Sequence, residues 1–122
     1  MRSVTLESRV GLMRRFLEEG RRLVDEDPVQ ASEKLYKAAE EAVKSLVHSL
    51  GMDDVLKAAE GRGRWTVTDL ERVVRRLKDL EPEVVAWWDN ANYLHVWGFH
   101  EARLSVEKIV ELASRYALER RR

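Results

Sequence analysis

The chain has 122 residues, and its formal net charge is zero because 22 Lys and Arg balance 22 Asp and Glu. It contains no cysteine, which excludes disulfides, thiolate metal sites and a thiol nucleophile. The zero net charge argues against a protein that coats DNA as a general polycation, so a nucleic-acid contact would need a local basic patch.

The length predicts a single domain over residues 1–122, since domains commonly have about 100–150 residues. No apolar stretch approaches the ~20 residues that span a membrane, and the N-terminal residues lack the apolar core of a signal peptide. We therefore expect a cytoplasmic protein that has no contact with a membrane. Charged residues make up 36% of the chain, a composition compatible with a thermophile.

Two long helices begin the predicted fold. The first spans residues 5–24, where apolar side chains recur at steps of three and four, as on one face of a helix. The second spans residues 28–50, with Asp27 as its N-cap, Pro28 in its first turn and Gly51 as its terminating residue. The short turn between them predicts an antiparallel helical hairpin.

The rest of the chain also follows helical periodicity. A short helix is predicted over residues 53–60 and a loop over residues 61–64. A capping box at Thr68, with Glu71 three positions later, would begin the next long helix. A helix rich in tryptophan follows over residues 83–100, and a last one over residues 102–118. The fold class is all-α, an antiparallel bundle of four or five principal helices.

The segment over residues 87–101 carries the candidate catalytic residues. On a continuous helix Trp88, Asn92 and His95 share one face. His95 is a candidate general acid or base because the pKa of histidine lies near neutrality. Asn92 would orient His95 or donate to a developing oxyanion, and Asn90 completes the candidate set. The alternative is a half-buried histidine that bonds a backbone carbonyl within an aromatic core.

No metal site or cofactor is predicted. His95 and His100 would lie about 140° apart on an unbroken helix. The i,i+4 spacing of a zinc-binding helix is therefore absent.

Three of the four tryptophans, Trp87, Trp88 and Trp97, lie in the same segment. Core packing, a homodimer interface and base stacking are the three interpretations, and we favour a homodimer interface for at least one of these tryptophans, since aromatic rings are large and enriched at interfaces. Base stacking is disfavoured because residues 79–101 hold five acidic residues and no Lys or Arg. Such a segment repels a phosphate backbone.

Arg72, Arg75 and Arg76 form a basic stripe at helical spacing. Guanidinium groups bind phosphates through paired hydrogen bonds, so the stripe is a candidate RNA or phosphate site. The alternative is a solvated face that pairs with acids from a neighbouring helix, such as those of residues 79–101.

Two segments resemble a known family. Residues 30–44, QASEKLYKAAEEAVK, are similar to the second helix of the archaeal PaREP-type proteins of the HEPN superfamily. Residues 94–101, LHVWGFHE, resemble the C-terminal signature of the same family. The resemblance implies a HEPN-like bundle that forms a homodimer and acts on RNA or nucleotides. Many HEPN proteins are metal-independent ribonucleases of toxin–antitoxin or defence systems, and others are non-catalytic partners of nucleotidyltransferases.

The active members carry an arginine four to six positions before a histidine. Here His95 matches that histidine, but Asp89, Asn90 and Ala91 occupy the positions of the arginine. Neither a carboxylate nor an amide can replace a guanidinium on a phosphate. We therefore expect a degenerate module that binds RNA or a nucleotide. The alternatives are an active ribonuclease that borrows an arginine from elsewhere, or a structural partner of a nucleotidyltransferase or a toxin.

Overall fold

The computed structural model describes residues 5–92 and 99–120. These residues form helices and no strands, which confirms the all-α prediction. The helices are α1 (Leu6–Leu23), α2 (Pro28–Ser49), α3 (Asp53–Arg62), α4 (Val67–Leu77), α5 (Val84–Asn92) and α6 (Phe99–Arg120). The described ranges hold six helices, as many as the predicted segments when the short helix over residues 53–60 is included. No helix within them has both the length and the apolar character needed to cross a membrane.

In the α1–α2 hairpin, α2 begins and ends with the residues that the sequence predicts. The Asp27 carboxylate accepts a hydrogen bond from the Gln30 amide at 3.2 Å, and Pro28 occupies the first turn of α2. Gly51 has a φ of +67°, a left-handed conformation that glycine adopts without strain. Met52 N–H then donates to the Val47 carbonyl at 3.0 Å, which terminates α2 in a Schellman motif.

α2 is the central helix of the bundle. It contacts α1, α3, α4, α5 and α6. Its alanines 31, 38, 39 and 42 are fully buried, and side chains this small let the neighbouring helices approach closely. Gly20 of α1 packs on Leu35 of α2 so tightly that a Cβ at Gly20 would lie 2.8 Å from Leu35 Cγ.

The α3–α4 region differs from the prediction in two places. α3 continues to Arg62 and ends at Gly63, whose φ is +76°, so the predicted loop over residues 61–64 begins too early. The capping box lies at Thr66 and not at Thr68. The Thr66 hydroxyl accepts from the Asp69 amide, and the Asp69 carboxylate accepts from the Thr66 amide. Asp69 satisfies this geometry because it stands three residues after Thr66.

The predicted tryptophan-rich helix over residues 83–100 starts as expected, because α5 begins at Val84. α5 is described as far as Asn92, and residues 93–98 of the predicted helix lie outside the described residues. α6 begins at Phe99, three residues before the start predicted for the last helix. α5 packs against α6, where the Asn90 side-chain amide donates to the Ser105 hydroxyl at 2.9 Å. α6 also packs against α2 and α1, so that side chains from α1, α2 and α6 share one hydrophobic core.

Candidate phosphate-binding site

α4 is strongly amphipathic, and this decides where its arginines point. Its apolar side chains Leu70, Val73, Val74 and Leu77 are buried in the core. Arg72, Arg75 and Arg76 fall on the opposite side of the 3.6-residue repeat and are exposed. The packing of α4 therefore presents the predicted basic stripe to solvent as one surface.

The arginines surround a shallow depression with a volume of about 430 Å³. Its lining residues are Thr68, Arg72, Arg75, Arg76, Lys78 and Asp79. The lining therefore holds four cationic side chains and one carboxylate, Asp79. A concave surface of this charge attracts an anion and places several donors around it.

Two of the three arginines form ion pairs. Arg76 binds Asp54 of α3 through two hydrogen bonds of 3.0 and 2.6 Å, and Arg76 holds the pKa of the Asp54 carboxyl at about 2. Arg75 approaches Glu71 at 3.9 Å, where both side chains are exposed. Neither partner lies in the acidic segment 79–101 that the sequence suggested. Arg72 and Lys78 form no ion pair with any residue that the structure describes.

A second cleft adjoins the first and lies between α4 and α5. Its volume is about 200 Å³. Its lining residues are Glu71, Val74, Arg75, Val85, Trp88 and Asp89. Arg75 lines both cavities.

The tryptophans of the predicted cluster lie in different environments. Trp88 is only 3% exposed and belongs to the core, with its ring 6.1 Å from that of Tyr36. Trp87 is half-buried and lines a groove between α5 and α6. Trp97 lies outside the described residues. For Trp88, therefore, core packing within the chain is the interpretation that applies.

The structure describes two of the three candidate catalytic residues, and both make hydrogen bonds within the fold. The Asn92 side-chain amide donates to the Trp88 carbonyl at 2.8 Å, one turn earlier. Asn90 bonds Ser105 and so joins α5 to α6. His95 lies outside the described residues. Within the described ranges, no three His, Asp or Glu side chains come together as a metal site would require.

Comparison with known proteins shows the family of this chain. A model of the archaeal PaREP1/PaREP8 family matches residues 8–117. The chain belongs to this family. The crystal structure of a Sulfolobus solfataricus protein is similar, with 32% identity over 94% of this chain and 98% of that chain, and a TM-score of 0.66. The solution structure of the same structural-genomics target is 33% identical over 89% and 88% of the two chains, with a TM-score of 0.65. No curated protein matches significantly.

This PaREP1/PaREP8 protein also contains a buried polar cluster that the sequence analysis missed. Arg9 is 8% exposed. Its Nε donates to His48 Nε2 at 3.2 Å and its Nη1 to Glu41 Oε2 at 3.0 Å. Its guanidinium lies 5.4 Å from the ring centroid of Trp65, a cation–π distance. The cluster joins α1, α2 and the α3–α4 loop.

One signal in the sequence could have pointed to this cluster. Arg9 stands beside Val10 and three residues after Leu6, which places it at the edge of the apolar face of α1. A charged residue in that position needs a buried partner. The partners Glu41 and His48 are 32 and 39 residues away, beyond the reach of local patterns.

Proposed function

We propose that this PaREP1/PaREP8 protein binds RNA through the exposed face of α4 and does not cleave it. The observation that carries the proposal is the depression lined by Arg72, Arg75, Arg76 and Lys78, of which Arg72 and Lys78 form no ion pair with a described residue. Phosphate contacts supply most of the affinity of sequence-independent nucleic-acid binding. A zero net charge is compatible with such binding because four of the 22 cationic residues lie together around one depression.

The four cationic side chains differ in how freely they can bind a phosphate. Arg72 and Lys78 form no ion pair with a described residue, so a phosphate can approach them without displacing a carboxylate. Arg75 can exchange its long contact to Glu71 for a phosphate, since exposed ion pairs contribute little. Arg76 is held by Asp54 at two points, and that pair joins α3 to α4. Arg72 and Arg75 are therefore the side chains to test.

The absence of an arginine from residues 89–91 supports the non-catalytic part of the proposal. The hydrogen bonds of Asn90 and Asn92 agree with it, because each amide already serves the fold. A ribonuclease would need a cationic group at the scissile phosphate. In this chain such a group would have to come from another segment or another copy.

The experiment measures the affinity for a labelled single-stranded RNA as a function of salt. We expect the double variant Arg72→Ala/Arg75→Ala to weaken binding and to flatten the dependence of log K on log salt by about 0.7 for each lost contact. The double variant Arg14→Ala/Arg15→Ala is the matched control, because it removes the same charge from exposed positions on α1. It should leave the slope close to that of the wild type.

Equal slopes for the two double variants would contradict an RNA site on α4.

The same samples test for cleavage of the RNA. We expect the RNA to remain intact with and without EDTA. Metal-independent cleavage that is lost in the His95→Ala variant would contradict the non-catalytic proposal and identify a ribonuclease.

The proposal also includes the HEPN relationship, a homodimer and a cytoplasmic location. Leu104 and Leu118 of α6 are 42% and 57% exposed, and their spacing puts them within about 40° on one helix face. The exposed Lys108, Glu111 and Arg115 lie between them on the same face, so the two leucines form no continuous apolar patch, and the homodimer rests on the resemblance to the HEPN family. A nucleotidyltransferase or a toxin–antitoxin partner would be encoded by a neighbouring gene.

A further inference from the structure

We propose that Arg76 is a further phosphate-binding residue of the α4 surface, and that Asp54 occupies it while no RNA is bound. This inference rests on the proposed RNA binding and adds one binding residue and one exchange step to it. Arg76 lines the cationic depression, although its guanidinium is bound to Asp54 of α3. When RNA binds, Arg76 exchanges the carboxylate of Asp54 for a phosphate.

The contact between Arg76 and Asp54 has the form of a phosphate contact. Arg76 Nη1 donates to Asp54 Oδ1 at 3.0 Å, and Arg76 Nη2 donates to Asp54 Oδ2 at 2.6 Å. Two oxygens of a phosphate accept hydrogen bonds from a guanidinium in the same forked arrangement. A phosphate therefore satisfies the same two donors of Arg76 that the carboxylate satisfies.

The exchange costs little because the ion pair is exposed to solvent. The side chains of Arg76 and Asp54 are 41% and 61% exposed, and exposed ion pairs contribute little to stability. The hydrogen bonds from Arg76 hold the pKa of the Asp54 carboxyl at about 2. Once Arg76 has left, water solvates the carboxylate, which stays ionised near neutral pH because the ordinary pKa of aspartate is also acidic.

The other cationic side chains of the depression favour the phosphate over Asp54. Arg72 and Lys78 line the depression together with Arg76 and form no ion pair with a described residue. A phosphate in the depression is attracted by these charges as well, whereas Asp54 does not belong to the lining. The RNA phosphate therefore gains partners that the carboxylate of Asp54 lacks.

α3 and α4 remain joined when Arg76 leaves Asp54. Arg62 of α3 binds Asp69 of α4 through hydrogen bonds of 2.7–3.0 Å, and Asp69 is only 4% exposed. Val55 of α3 is also buried in the core. The exchange therefore moves one side chain and leaves both helices in place.

The test measures the affinity for an octamer of uridine as a function of salt for the wild type, Asp54→Asn and Asp53→Asn. Asp53 is the matched control, because it is exposed in the same turn of α3 and forms no ion pair with a described residue. Each variant removes one negative charge, which tightens RNA binding in general. We expect Asp54→Asn to tighten it about two- to fivefold more than Asp53→Asn, because only Asp54 competes for Arg76.

The salt dependence shows whether Arg76 contacts RNA in the wild type. If the exchange takes place, the wild type and Asp54→Asn make the same number of phosphate contacts, and their slopes of log K against log salt are equal. Arg76→Ala should flatten the wild-type slope by about 0.7, the loss of one contact. A slope steeper by about 0.7 in Asp54→Asn would show that Arg76 stays on Asp54 in the wild-type complex, which would overturn the exchange.

Two further results would overturn the inference and leave RNA binding in place, provided that Arg72→Ala/Arg75→Ala weakens binding. One is equal affinity of Asp54→Asn and Asp53→Asn for the octamer, and the other is a slope that Arg76→Ala leaves unchanged. Failure of the wild type to bind the octamer would overturn this inference and the proposed function together. Asp54 and Arg76 are exposed, so we expect both variants to fold, and their circular dichroism spectra check this.

Discussion

His48 shows what a single residue contributes to this fold. Its Nε2 accepts a hydrogen bond from Arg9 Nε, which requires the neutral form of the imidazole. Burial, and secondly the charge of Arg9, lower the pKa of His48 below its ordinary value, although Glu60 and Glu41 act in the opposite direction. Protonation would place two positive charges side by side within a cluster that also holds Trp65.

We expect the free energy of unfolding to fall as the pH decreases below about 6.5, the ordinary pKa of histidine. The pKa of His48 is lower in the folded state than in the unfolded chain, so the unfolded chain binds the proton first and gains stability. Urea unfolding between pH 7.5 and 5.5 measures this decline. The variant His48→Gln, which offers Arg9 a carbonyl acceptor that does not titrate, should show a smaller decline.

A second titrating group makes this comparison with the variant necessary. Burial raises the pKa of Glu40, so Glu40 stabilises the folded state as the pH falls, opposite to His48. The wild type and His48→Gln both contain Glu40. Its contribution therefore cancels when the free energy of unfolding of one protein is subtracted from that of the other at each pH. Equal pH profiles for the wild type and His48→Gln would show that His48 does not control the acid sensitivity.

At the scale of elements, the crossing of α1 and α2 depends on one glycine. A Cβ at Gly20 would lie 2.8 Å from Leu35 Cγ and 3.3 Å from the Leu35 backbone nitrogen. Leu35 is fully buried, so it has no free space to move into. Gly11 belongs to the same helix, and a Cβ there would meet no atom within 4 Å.

This pair of glycines gives a matched test of the hairpin. We expect Gly20→Ala to lower the free energy of unfolding by about 1–3 kcal/mol, because it overpacks the interface. Gly11→Ala should raise it by about 0.5–1 kcal/mol, since alanine is the better helix former. Thermal or urea unfolding of both variants measures the difference. Stabilisation by Gly20→Ala would mean that the two helices separate at little cost.

The α4 capping box shows how far local sequence can specify an element. Thr66 and Thr68 are each followed, three positions later, by an acidic residue. The sequence analysis chose Thr68, and the structure uses Thr66. Asp69 also binds Arg62 of α3 through hydrogen bonds of 2.7–3.0 Å. This contact between α3 and α4 favours a capping box at Thr66. The local sequence pattern gives no sign of the contact.

At the scale of the whole molecule, the proposed homodimer can be measured directly. We expect sedimentation at micromolar concentration to give twice the chain mass of 14.2 kDa, as the resemblance to the HEPN family implies, with the exposed Leu104 and Leu118 of α6 as candidate contacts. Leu104→Glu should shift the protein to the monomer. Leu80→Glu is the control, since Leu80 is 55% exposed and lies outside α6. A wild-type monomer would contradict the dimer.

The sequence by itself determined the helical class, the α1–α2 hairpin and the exposed basic stripe of α4. Each depends on residues within a few positions of one another, as with Asp27 before Pro28 or the apolar period of α4, and short-range geometry makes such patterns visible. Only the tertiary structure decided that Trp88 is buried in the core while its neighbour Trp87 is half-buried against it. It also decided that Arg76 pairs with Asp54 across 22 residues. Such contacts depend on how whole helices pack, and packing joins residues whose separation along the chain carries no periodic signal.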